Sequence, residues 1–182
     1  MDLKSWHLVV TPRQEVREGR SFNPDEFAIH LEQVVSGISP EDYRNPHKFF
    51  SRTYFTRALR EHAGMVLRRL AGETNNTAPV LTLVTQFGGG KTHTLTTLYH
   101  LIKNPGEAGN FSGVPDMLRD AGLYAIPTSK VAVFVGNAWD PRPGKETPWI
   151  DIARQLAGDE GVALLGPNAV ESPPGTATLG EL

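Results

Sequence analysis

Hydrophobic positions divide the chain into a helical first third, a middle that alternates apolar runs with helical spacing, and a weakly patterned tail. Asn23-Pro24-Asp25-Glu26 is a helix start, with Asn as cap, Pro in the first turn and two acids near the positive end of the dipole. Phe27, Leu31, Val34 and Val35 follow as an apolar stripe up to Gly37. Asn45-Pro46 opens a longer helical pattern in which Phe55, Leu59, Val66 and Leu70 recur until Gly72. Its other face, with Arg57, Arg60, Glu61 and Arg68, is either simply solvated or contacts a phosphate or a partner.

The polar stretch Glu73 to Thr77 leads into Val80-Leu81-Thr82-Leu83-Val84-Thr85, an apolar run of strand length. Leu95, Leu98, Tyr99 and Ile102 then line one side of a helix that Asn104-Pro105-Gly106 stops. Pro115 to Gly122 reads as a short helix. Lys130 to Gly136 is a second apolar run without polar alternation, as a parallel strand covered on both faces requires. A helix between two such runs predicts a βαβ unit whose helix packs on the sheet. Thr147-Pro148 starts a last helix, with Ile150, Ala153, Leu156 and Ala157 on its apolar side. From Gly158 the pattern weakens, and Ser172-Pro173-Pro174-Gly175 is a loop. The predicted organisation is a helical segment over residues 1–73, an α/β unit over 74–160 and an irregular tail over 161–182.

Chemistry concentrates where the first apolar run ends, at Gln86-Phe87-Gly88-Gly89-Gly90-Lys91-Thr92-His93. Three glycines free the backbone of Cβ atoms so that successive N–H groups can curl around an anion, and the following helix points its positive end at the same place. Gly88, Gly89 and Gly90 would then bind phosphate, with Lys91 reaching the β- and γ-phosphates and the Thr92 hydroxyl holding Mg²⁺. His93 either faces the phosphates or packs beneath the loop. An ordinary glycine-rich hairpin or cap is the simpler alternative. The usual phosphate loop has glycine five residues before Gly90, where this chain has Thr85. Thr85 is therefore expected to keep ordinary extended dihedrals, Gln86-Phe87 to make the turn, and at least one of the three glycines to take a positive φ. The predicted fold class is α/β, an incomplete P-loop NTPase-like parallel sheet core preceded by N-terminal helices.

Composition changes this picture little. The chain has 182 residues and a formal net charge of −2, which gives no global attraction to nucleic acid or an acidic membrane. With no cysteine, disulfides, thiolate catalysis and cysteine-ligated zinc are excluded. The six histidines show no metal-ligand spacing, and no serine sits in a nucleophile-elbow setting. No signal-like or membrane-spanning apolar stretch occurs, so the cytoplasm is the expected location. The acid that completes a hydrolytic Mg²⁺ site is missing from a strand end. Asp140, past the second apolar run, is either that acid or part of a turn, and Asn137 is placed for a polar contact near the γ-phosphate. Arg142 and Lys145 are either solvated or act on a neighbouring subunit.

The N-terminal Phe-Asn-Pro-Asp-Glu-Phe segment, the phrase from Thr85 to Thr94 and the later Phe134-Val135-Gly136-Asn137-Ala138-Trp139-Asp140 together resemble the predicted AAA+ ATPases labelled domain of unknown function 499. The resemblance implies ATP rather than GTP as ligand, with Mg²⁺. It further implies a chain that is the N-terminal part of a longer ATPase, its acidic strand lying beyond Leu182 and the 182 residues alone inactive. A role in DNA modification or phage defence, a DNA methylase or similar protein as partner, and a homo-oligomer at full length are implied in the same way. The competing expectation is an interaction module that docks a DNA-modifying partner, with a phosphate loop that does not turn nucleotide over.

Overall fold

The computed structural model describes residues 3–21, 27–86, 88–137 and 146–182. Among them the architecture is helical, and no strand is formed. Three short helices lead in: α1 (Gln14–Arg17), α2 (Leu31–Ser36) and α3 (Glu41–Arg44). The central layer is α4 (Pro46–Ser51), α5 (Arg57–Leu70), α6 (Lys91–Lys103) and α7 (Val114–Asp120). Beyond it come α8 (Pro148–Leu165) and α9 (Thr176–Gly180).

The expected parallel sheet core of P-loop NTPase type is thus corrected to a helical one. Residues 80–85 and 130–135 are not paired into a ladder, and the first run leaves Val80 76% and Val84 84% exposed. An apolar run becomes a buried parallel strand only when neighbouring strands take its N–H and C=O groups and helices cover both faces. Here the aromatic side chains of the helices fill the core instead. On the second run the side-chain amide of Gln155 in α8 stands in for a neighbouring strand, accepting from the Val133 N–H at 2.9 Å and donating to the Val133 carbonyl at 3.0 Å.

The pattern starting at Asn45 also resolves into two helices rather than one. Asn45 caps α4, accepting from the Lys48 N–H, and Pro46 occupies the first turn. The chain leaves helix at Arg52, and Thr56 caps α5 by accepting from the Leu59 N–H. Leu59, Ala63, Gly64 and Leu67 form the buried stripe of α5, so the expected Val66 and Leu70 lie off its centre, with Leu70 41% exposed. The charged face of α5 is paired within the chain: Arg57 with Glu61, Arg60 with Asp120 of α7, and Arg68 with Glu73.

Helix α2 buries Leu31 and Val34 and stops at Gly37, in the left-handed region, while Phe27 and Val35 remain exposed. The start at Asn23 to Glu26 lies outside the described residues. Helix α6 stops at Asn104 as expected, but its buried face is Thr94, Thr96, Thr97, His100, Leu101 and Ile102, with Leu95 turned outward. It packs against α2 and α5 rather than on a sheet.

One core gathers Phe49 and Phe50 of α4, Phe55, Leu59, Ala63 and Leu67 around α5, Leu101 of α6, and Phe111, Val114 and Met117 around α7. Gly113 enters α7 at φ +76°, and a Cβ there would lie 2.6 Å from the Phe55 ring. Both the dihedral and the space require glycine. Gly113→Ala is expected to lower stability by about 1–3 kcal/mol, read as a lower urea midpoint with an unchanged slope.

Candidate functional site

The glycine segment forms a loop folded back on the end of the extended run. Gly88 and Gly90 have φ of +82° and +76°, and the positive-φ non-glycine residues do not include Thr85. The glycines therefore take the unusual dihedrals, as expected, and Thr85 stays out of the left-handed region. A Cβ on Gly89 would sit 2.0 Å from the Thr85 hydroxyl, so the fold-back itself demands glycine there. Phe87 lies outside the described residues.

Gly90 leads directly into α6, which carries no side-chain cap. The first-turn N–H groups of Lys91, Thr92 and His93 are thus left for an outside acceptor at the positive end of a 13-residue helix. Lys91 Nζ donates to the Thr85 carbonyl at 2.9 Å, the Thr85 hydroxyl at 3.1 Å and the Gln86 carbonyl at 3.2 Å. The ammonium crosses the loop and neutralises the carbonyl side of its turn.

His93 turns toward the helices. Its ring lies 4.7 Å from that of Phe49, and Nε2 is 3.1 Å from the Thr53 hydroxyl. That hydroxyl donates to the Phe49 carbonyl, so the imidazole Nε2–H is the donor in the pair. His100, further along α6, donates Nε2–H to the Tyr43 carbonyl at 2.7 Å. The two histidines pin the helix bearing the loop to α3 and α4, and His93 takes the packing alternative while still bordering the cavity.

A cavity of about 920 Å³ opens over the loop. One wall is Gly88 to His93, and the other is the N-terminal arm with Arg13, Val16, Arg20, Phe27 and Ile29. Four cations face it among the described residues (Arg13, Arg20, Arg52 and Lys91), against the carboxylates of Glu15 and Asp42. Both carboxylates are engaged by Arg52, Glu15 at 2.7 Å. Glu15 is held below the usual carboxylate range first by a hydrogen bond with its own backbone and then by Arg52. The cavity is electropositive on a chain whose net charge is negative. A smaller cavity of about 370 Å³ lies on the other side of the loop, bordered by Tyr54, Thr56, His62 and Leu83.

Of the expected site, the structure brings together Gly88, Gly89, Gly90, Lys91, Thr92 and His93. Asp140, Arg142 and Lys145 lie outside the described residues, and Asn137 is exposed. The residues Arg13, Arg20 and Arg52 carry no spacing that singles them out in sequence; only the tertiary fold sets them opposite the glycines. No group of three or more histidine and acidic side chains is gathered to hold a metal among the described residues. Among them no helix is long and apolar enough to cross a membrane.

The model of the DUF499 N-terminal domain matches residues 1–120. The chain belongs to the DUF499 family. In this DUF499 chain the matched span contains every described residue that lines the two cavities, and helices α1 to α7. No curated protein and no solved structure matches it.

Burial pushes the imidazoles of both His93 and His100 below their ordinary value of 6.5, for His100 against the raising effect of its bond to Tyr43. The unfolded chain therefore takes up protons at a higher pH than the folded one, and stability present above pH 6.5 is lost as pH falls through the depressed values. The urea midpoint is expected to fall between about pH 7.5 and about pH 5, and to fall less in His93→Gln. An equal acid sensitivity in that variant would remove His93 from the effect.

Proposed function

We propose that the Gly88–Thr92 loop binds the phosphate tail of a nucleotide, ATP with Mg²⁺, as a Walker A-type phosphate-binding loop, and that the chain is the nucleotide-binding part of an ATPase. The observation that carries this reading is the uncapped N-terminus of α6 entered through Gly88 and Gly90 at positive φ, with Lys91 on the same loop, opening into an electropositive cavity. Fixed N–H groups and a helix dipole favour a polyanion at this place, and Lys91 adds a full charge. The cavity's size lies within the range of ligand sites, roughly 300–1,000 Å³.

The residues present suit phosphate better than a free metal ion. Thr92 stands in the first turn of α6 and would supply one oxygen to Mg²⁺, the rest of its shell coming from phosphate and water. Lys91 gives up the Thr85 and Gln86 oxygens when phosphate oxygens replace them, exchanging neutral acceptors for charged ones. Val16, Phe27 and Ile29 offer an apolar wall for the base. ATP over GTP, and service to a DNA-modification or phage-defence system, rest on the family resemblance of the residues.

One observation favours a second reading, a docking module for a DNA-modifying partner. Leu3, Trp6, Leu8 and Val9 are each more than half exposed near the N-terminus, where no core covers them. Calorimetry separates the readings. The 182-residue chain is expected to bind Mg·ATP, and Lys91→Ala to weaken binding at least about 10-fold, since charge-assisted hydrogen bonds to phosphate are lost. Equal binding by the two proteins would remove Lys91 from the site, and no binding by the wild-type chain would favour the docking module.

A further inference from the structure

We infer that Arg13, carried by the N-terminal arm, contacts the phosphate tail of the nucleotide held at Gly88–Thr92, an inference that rests on the nucleotide reading of that loop. The arm stands over the cavity on a fixed support. Arg13 caps α1, its carbonyl accepting from the N–H groups of Val16 and Arg17 at 3.1 Å. Two residues on, Glu15 bonds Arg52 at the end of α4, and Arg52 also pairs with Asp42 of α3. Arg52 is thereby neutralised and serves to tie the arm down.

Arg13 is in the opposite position. It lines the cavity facing the glycines and, among the described residues, enters no ion pair; its charge reaches Glu15 only as a minor influence behind that of Arg52. Arg17, on the same short helix, does not line the cavity. A guanidinium matches the oxygens of a phosphate group in fixed fork geometry, and Arg13 shares its cavity with the glycines and Lys91 of the loop proposed to hold that group. With Lys91 on one wall and Arg13 on the other, a polyphosphate entering the cavity meets positive charge from both sides.

Titration of the 182-residue chain with Mg·ATP and, separately, with inorganic tripolyphosphate tests the assignment. Arg13→Gln is expected to weaken both ligands about 10-fold, Arg13→Lys less, and Arg17→Gln less than about 2-fold. Unchanged binding in Arg13→Gln overturns the inference, and so does an equal loss in Arg17→Gln, which would mark a general charge effect. A loss for ATP without one for tripolyphosphate would place Arg13 on the base or ribose and overturn it too. If Lys91→Ala loses binding while Arg13→Gln keeps it, the nucleotide reading stands and this inference alone falls; a wild-type chain that binds neither ligand ends both.

Discussion

Phe49 is the side chain on which the rest depends. It is 2% exposed, stands edge-on to Phe50, and carries the rings of His93 and His100 at 4.7 and 5.2 Å. Phe50 continues inward to Phe55 and Phe111. Aromatic pairs of this kind add about 0.5–1.5 kcal/mol each beyond the area they bury. More important is their direction. Because both histidines lie on α6, the aromatic stack fixes the rotation of that helix about its axis, and with it the way the glycine loop faces.

Once α6 is fixed, the loop has few choices. Gly88 and Gly90 supply the positive dihedrals, Gly89 the close approach to Thr85, and Lys91 the bonds that hold the turn. Positive φ and close approach are different demands, and the three adjacent glycines meet both. The loop's own dihedrals and side chains thus hold its turn, with the Gly89 N–H closing onto the Gln86 carbonyl, and on the proposed phosphate reading a preordered loop costs less to use than one that must first be ordered.

Local signals are legible in the sequence where a residue type has one physical meaning. Asn45-Pro46, Thr147-Pro148, Gly37 and Asn104 all mark helix ends, because caps and breakers act on the backbone within a few residues of themselves. The glycine loop is legible for the same reason. The sheet is not, because an apolar run of five or six residues says only that it can be buried, not that a neighbouring strand exists to pair with it. The break between α4 and α5 is hidden since Phe49, Phe50, Phe55 and Leu59 continue the apolar series across it. Thr53, donating to the Phe49 carbonyl, ends the first helix, and Thr56 starts the second. The arm opposite the loop has no sequence signal at all, because Arg52 and Glu15, 37 residues apart, meet only through the fold.

The region after α7 shows how the unpaired second run is held. Gln155 presents an amide to Val133 with the donor and acceptor of a neighbouring strand, and Asp151 one turn earlier accepts from the same amide nitrogen, fixing its rotamer. The bond ties the first half of α8 to that run. Directly after Leu156 the helix changes direction: Ala157 and Gly158 leave helical geometry, and Gly158 takes φ +63° and ψ −147°, a region open essentially to glycine. The second half of α8 then folds back so closely that a Cβ on Gly161 would lie 2.6 Å from the Ala153 carbonyl. Past α8 the Ala169 carbonyl accepts from both the Thr147 hydroxyl and the Trp149 indole N–H, closing the chain onto the start of the same helix. The Gln155 amide satisfies the Val133 backbone groups that a neighbouring strand would otherwise have paired, the Ala169 carbonyl fastens the two side chains at the start of α8, and the glycine kink lets α8 fold back upon itself, which is how this part of the chain stays folded without a sheet.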